Sequence, residues 1–154
     1  MRIISTNTLE LLAEEILNVP VGHVERTIAD ILKKDVMLNV IEQTPVGKTE
    51  YLRKIIIAAD QFPIVAANVR FDSKTIPEYI LSELLRKKDG IGTILQKYGI
   101  TAYRRDIKII ISPDGKKITR SYEIMQNSDL WFQISEEIRL DLLYACQNGR
   151  AIPS

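Results

Sequence analysis

The chain has 154 residues, 45% hydrophobic and 27% charged, enough for one domain that buries about two thirds of its unfolded surface without staples. Lys and Arg number 21 against 20 Asp and Glu, so no overall charge marks a nucleic-acid binder, and basic clusters such as Arg86-Lys87-Lys88 read as solvated ends. One cysteine, Cys146, and one histidine, His23, exclude an internal disulfide and a multi-thiolate or His-Glu-x-x-His metal site, and leave Ser-His-Asp chemistry poorly supported.

The N-terminal stretch MRIISTNTLELL lacks a long apolar core and a small-residue cleavage site, and no run in the chain is long enough to span a bilayer; a cytoplasmic protein without membrane contact is expected. Residues 8–17 place Leu9, Leu12, Ala13, Ile16 and Leu17 at helical spacing, stopped by Asn18-Val19-Pro20. A second helix is expected over residues 24–33, with Ile28, Ile31 and Leu32 inward and His23 ahead of it as a surface or capping residue. Residues 35–43 alternate as a strand, and Pro45-Val46-Gly47-Lys48 turns into the next element.

The stretch Tyr51 to Phe71 has two β-branched runs around Ala-Asp-Gln-Phe-Pro, which predicts a β-hairpin with Asp60 and Pro63 in the turn. Thr75-Ile76-Pro77-Glu78 has the form of a capping box for a helix burying Ile80, Leu81, Leu84 and Leu85 and ending at Arg86-Lys87-Lys88-Asp89-Gly90. Gly90-Ile91-Gly92 opens a short helix, residues 93–98, closed by Gly99; backbone N–H groups at such a start can receive a carboxylate, although Gly-x-Gly also occurs in plain turns. Residues 102–111 form a strand whose parity groups Tyr103, Arg105, Ile107, Ile109 and Ile111. After Ser112-Pro113-Asp114-Gly115 the next strand groups Ile118, Arg120, Tyr122 and Ile124, and after Asn127-Ser128-Asp129 the last groups Leu130, Phe132, Ile134, Glu136 and Ile138. The tail from Leu140 reads either as continued strand or as a terminal helix. Hairpin-linked strands with helices before and between them predict an α+β fold, mostly antiparallel sheet with flanking helices, in a single domain over residues 1–154.

Parity sets three arginines and one glutamate, Arg53, Arg105, Arg120 and Glu136, on apolar faces. One reading is a buried ion-pair network that fixes register. The other is a site for a small carboxylate, because the arginines outnumber the glutamate and guanidinium groups bind carboxylates bidentately.

The segment Tyr51-Leu52-Arg53-Lys54-Ile55-Ile56-Ile57, followed by Pro63 and Val65-Ala66-Ala67, resembles the strand pair of chorismate lyases. The likeness continues through Ile91-Gly92-Thr93-Ile94-Leu95, Tyr103-Arg104-Arg105-Asp106-Ile107, Thr119-Arg120-Ser121-Tyr122-Glu123-Ile124 and Ile134-Ser135-Glu136, and it is greatest toward the compact archaeal and bacterial branch of chorismate-lyase-like proteins. The resemblance implies cofactor-free, metal-free cleavage of chorismate, or a similar cyclic or aromatic carboxylic acid, to 4-hydroxybenzoate and pyruvate in a pocket beneath helical flaps. It implies that Arg53 binds the ring carboxylate with the backbone of Ile91 and Gly92, and that Glu136 sits where the ether bond breaks, unless Glu123 or Glu137 has that place. Arg105 or Arg120, on parity, holds the enolpyruvyl carboxylate. A pocket-lining element of the family corresponds here to Glu25-Arg26-Thr27, and Thr93 replaces a family arginine. The alternative function is a non-catalytic sensor or effector domain of the same fold, which also serves bacterial transcription regulators; the roughly fifty residues before the hairpin carry no basic recognition helix.

Overall fold

The structure, a computed structural model, describes residues 6–19 and 24–148. The reading of His23 and the end of the tail, residues 149–154, lie outside the described residues. The order is α1 (Thr6–Leu17), α2 (Val24–Leu32), β1 (Met37–Pro45), β2 (Glu50–Ala59), β3 (Phe62–Asp72), α3 (Glu78–Leu85), α4 (Ile91–Lys97), β4 (Tyr103–Ile111), β5 (Lys117–Gln126), β6 (Asp129–Arg139) and α5 (Leu140–Gln147). The tail therefore begins as a helix. All six strands form one antiparallel sheet in the order β1-β2-β3-β6-β5-β4. Two three-stranded meanders thus meet at the β3–β6 pair, where Val69 stands opposite Ile134 and Ala67 opposite Glu136.

Period-two alternation sends one set of side chains from each interior strand to a common face, and the helices cover that face in two groups. At one end α1, α2 and α5 bury Ile57, Val65, Ile118 and Ile138 with Ile16, Ile28 and Leu143. At the other end the α3–α4 arm buries Val69, Phe71, Tyr122, Ile124, Phe132 and Ile134 with Ile80, Leu84, Ile94 and Leu95. Between the two clusters runs the rung Ile55–Ala67–Glu136–Arg120. The opposite face of the sheet carries residues such as Asn68, Arg70, Ser121, Gln133 and Ser135 and has no helix over it among the described residues.

Local chemistry differs from the sequence reading in three places. The central hairpin turns at Asp60, whose φ is 54°, and Pro63 lies inside β3 opposite Ala58, beside a register shift that accommodates its missing N–H. The capping box does not form: α3 starts after Pro77 with no side-chain cap, and the Thr75 hydroxyl donates to the Asp72 carbonyl instead. Leu85, expected inward, is exposed, while Ile80 and Leu84 are fully buried. Gly90 caps α4 in extended conformation, and an added Cβ there would fall 2.6 Å from a Leu38 methyl, so the bare backbone lets the arm close against β1.

The fourth difference bears on the site. In β4 the register against β5 shifts between Arg105 and Lys108, at Asp106, whose φ of 54° marks a β-bulge. The bulge reverses parity across it. Arg104 pairs with the inward Ile124 and Arg105 with Glu123 of the other face. The placement of Arg105 on the apolar face is therefore corrected: its side chain is 48% exposed and its Nη2 lies 3.2 Å from Glu123 Oε1.

Candidate functional site

A cavity opens on the covered face between the two apolar clusters. Its floor is Ile55, Ile57, Val65, Ala67, Val69, Ile124 and Ile134, its roof is α2 and the start of α4, and its polar lining is Glu25, Thr93, Arg104, Tyr122 and Glu136. The interior amounts to about 80 Å³, below the roughly 150 Å³ in which an engineered apolar cavity takes up benzene. As it stands it admits water rather than a ring, so a cyclic ligand enters only if the roof moves.

Of the residues picked out from sequence, Glu136, Ile91 and Gly92 line this cavity. Arg53 and Arg120 flank it on the same face, at 0% and 1% exposure. Thr27 stays on α2 outside the cavity wall, and Arg105 is on the far side of the sheet. Arg104 and Tyr122 belong to the site and were not singled out, while Glu25 lines it from the element Glu25-Arg26-Thr27 that the resemblance had set at the pocket. The sequence signal for Arg104 was Asp106, since aspartate is among the few residues that tolerate a left-handed backbone inside a strand.

Arg120 and Glu136 stand directly opposite each other on β5 and β6; the Arg120 Nε donates to Glu136 Oε1, and Nη2 stands in ion-pair contact with the same oxygen without a hydrogen bond of its own. The Tyr122 hydroxyl points at the other carboxylate oxygen, 3.4 Å away. The register-fixing reading thus holds for this pair. Glu136 accepts from a guanidinium, and a carboxylate so engaged is poorly placed to donate a proton.

Arg53 is different. Its rung is Gln43–Arg53–Val69–Ile134–Tyr122, and no carboxylate stands on it. The Nη2 donates to the Asp89 carbonyl at the base of α4, while Nε and Nη1 are buried without partners. Burial lowers its pKa to about 10, an effect partly offset by the charge of Asp89. Arg104 reaches the same region from β4: Nη1 donates to the Val19 carbonyl at 2.7 Å, its plane lies 4.8 Å from the Tyr122 ring centre, and Nε is unpartnered. Opposite, the Glu25 carboxyl is pushed up by burial and then by the nearby charge of Asp89, so it is a weaker counter-charge than an exposed glutamate.

Burial, followed by the charge of Glu136, raises the Tyr122 phenol to about 12. The sign follows from linkage. Below pH 10 the phenol is neutral in both states. Above it the unfolded chain releases the proton while the folded chain keeps it, so stability falls by up to roughly 2–3 kcal/mol between pH 10 and about 12. Denaturant unfolding across that range is expected to show the loss in the native protein and its absence in Tyr122→Phe; equal loss in both would place the titration elsewhere.

Among the described residues no His, Cys, Asp and Glu group of three or more is arranged to hold a metal ion, and no helix is long and apolar enough to cross a membrane.

No family model matches the sequence, and no curated protein does. Among solved structures, the PhnF C-terminal domain aligns with a TM-score of 0.51 at 9% identity, covering 70% of this chain and 85% of that one. PhnF from Mycobacterium smegmatis aligns with a TM-score of 0.50 at 11% identity, over 73% of this chain and 62% of that one. The effector domain of the latter protein gives a TM-score of 0.48 at 11% identity, over 73% and 86%. The chain has the α+β antiparallel fold of the PhnF C-terminal domain, the fold expected from the chorismate-lyase resemblance.

Proposed function

We propose that the chain is a binding domain for a small cyclic or aromatic carboxylic acid, which it holds without turnover. What carries the reading is Arg53: a guanidinium at 0% exposure with two unpartnered donors, beside a cavity whose lining adds Arg104, bonded to the Val19 carbonyl with its Nε unpartnered. Leaving buried donors unmade costs on the order of 1–3 kcal/mol each, and a bidentate carboxylate satisfies two at once. The acid's carboxylate replaces the Asp89 carbonyl as Arg53's acceptor when the base of α4 lifts, and the ring lies on Ile55, Ala67, Val69 and Ile134, with Ile91 and Gly92 above it. That movement also supplies the volume the closed cavity lacks.

The second reading is chorismate lyase, favoured by one observation: Glu136 lines the cavity. Its engagement by Arg120 weakens the reading, because the carboxyl needed as acid is already a guanidinium acceptor. Incubation with chorismate, following pyruvate and 4-hydroxybenzoate, separates the two. The expected result is no product, together with a raised melting temperature in 4-hydroxybenzoate. Equimolar product lost in Glu136→Gln would establish the lyase, and no response to either acid would overturn both readings.

A further inference from the structure

The strand β4 is the outer strand of the sheet, paired with β5 on one side and with nothing on the other among the described residues. None of its nine residues is buried, and Tyr103, Ile107, Ile109, Ile110 and Ile111 are 45–69% exposed. Edge strands in native proteins are blunted by bulges, lysines or prolines to prevent pairing with another chain. Here the Asp106 bulge and Lys108 guard only the first half. The second half, Ile109-Ile110-Ile111, is apolar on both faces, since Ile109 and Ile111 stand over Arg120 and Ile118 while Ile110 stands over Thr119.

Its free backbone groups can be identified. Ser112 N–H donates to the Lys117 carbonyl, so in an antiparallel ladder the alternating pairs at Ile110 and Lys108 also bond to β5. The N–H and C=O of Ile109 and Ile111 therefore point away from the sheet.

From this we infer that β4 is the interface of a two-fold dimer in which the edges of two copies pair antiparallel about Ile109, joining the two sheets into one. The segment is self-complementary in this register. Ile109 meets Ile109 of the second copy, Ile107 meets Ile111, and Lys108 lies against Ile110 rather than against its own copy, where like charges would oppose pairing. A register one residue shorter puts Lys108 on Lys108 or brings the bulge into the ladder. With about half of each apolar side chain exposed, two edges cover roughly 1,000 Å² together, the lower limit for a specific interface, so a reversible dimer is expected.

Sedimentation velocity over a concentration series tests it. The native chain is expected to pass from monomer to dimer and stop there. Ile109→Lys puts two ammonium groups on the axis and is expected to weaken association at least about 100-fold while circular dichroism of the monomer stays native, because the side chain is already half in water. Ile109→Cys provides the positive control: paired Cα atoms about 5.5 Å apart are within disulfide range, so copper-catalysed air oxidation should give a covalent dimer, and the buried Cys146 does not compete. A native chain that is monomeric at all concentrations, a dimer that survives Ile109→Lys, or open-ended growth through β1 would each overturn the inference.

Discussion

Glu136→Ala is expected to destabilise the fold by about 3–5 kcal/mol, a large part of the 5–15 kcal/mol that holds a domain of this size together. Arg120 is 1% exposed, and its guanidinium has Glu136 as its anion. It cannot shed its proton to escape, so truncating the carboxylate leaves a charge sealed between the two apolar clusters. Two further variants separate this from a simple cavity effect. Glu136→Gln keeps the volume and an acceptor oxygen and should cost less than the alanine variant. Arg120→Met combined with Glu136→Leu removes both charges and should come out near the native stability or above it, because burying an ion pair is expensive for both partners. Urea unfolding at neutral pH reads all three; a loss under 1 kcal/mol for Glu136→Ala would mean that water reaches Arg120 and that the pair does not fix the register of β5 on β6.

Arg53→Met is expected to do the opposite to the fold and more to binding. The guanidinium is desolvated, at 0% exposure, and only one of its nitrogens is bonded. An apolar side chain of similar length removes that penalty, so melting temperature should hold or rise. Affinity for an aromatic acid such as 4-hydroxybenzoate should fall about 100-fold or more, the worth of a buried bidentate contact. Arg53→Lys keeps the charge and loses the fork, and should bind with intermediate affinity. Calorimetric titration beside thermal unfolding decides the matter. If stability collapses and the affinity of what still folds is unchanged, Arg53 is part of the scaffold, and the stability–binding trade-off disappears with the proposed site.

The inward assignments of Arg53, Arg120 and Glu136 were legible because β2, β5 and β6 are regular where those residues lie, and a period of two needs no knowledge of neighbours. Arg105 was not, because the parity argument assumes that a strand keeps step with its partner, and the extra residue at Asp106 breaks the step. The Thr75 capping box failed for a related reason: the hydroxyl found a carbonyl three residues back before the helix began, a local competition that spacing alone does not decide. The partnership of Arg120 with Glu136 follows from the β5–β6 hairpin, once its short turn fixes the register. The long-range pairing of β3 with β6, which nothing local in the sequence encodes, sets Ile134 rather than a carboxylate on the rung of Arg53.

The bulge at Asp106 has a consequence for how such a pocket changes in a lineage. Because it alone decides whether Arg104 or Arg105 faces the cavity, a one-codon deletion there exchanges inside for outside along the first part of β4 and leaves every lining residue of the other strands untouched. Substitutions would have to alter the lining side chains one by one to reach the same end. Chain length at this edge is thus a compact route by which the polar lining of such a pocket can change.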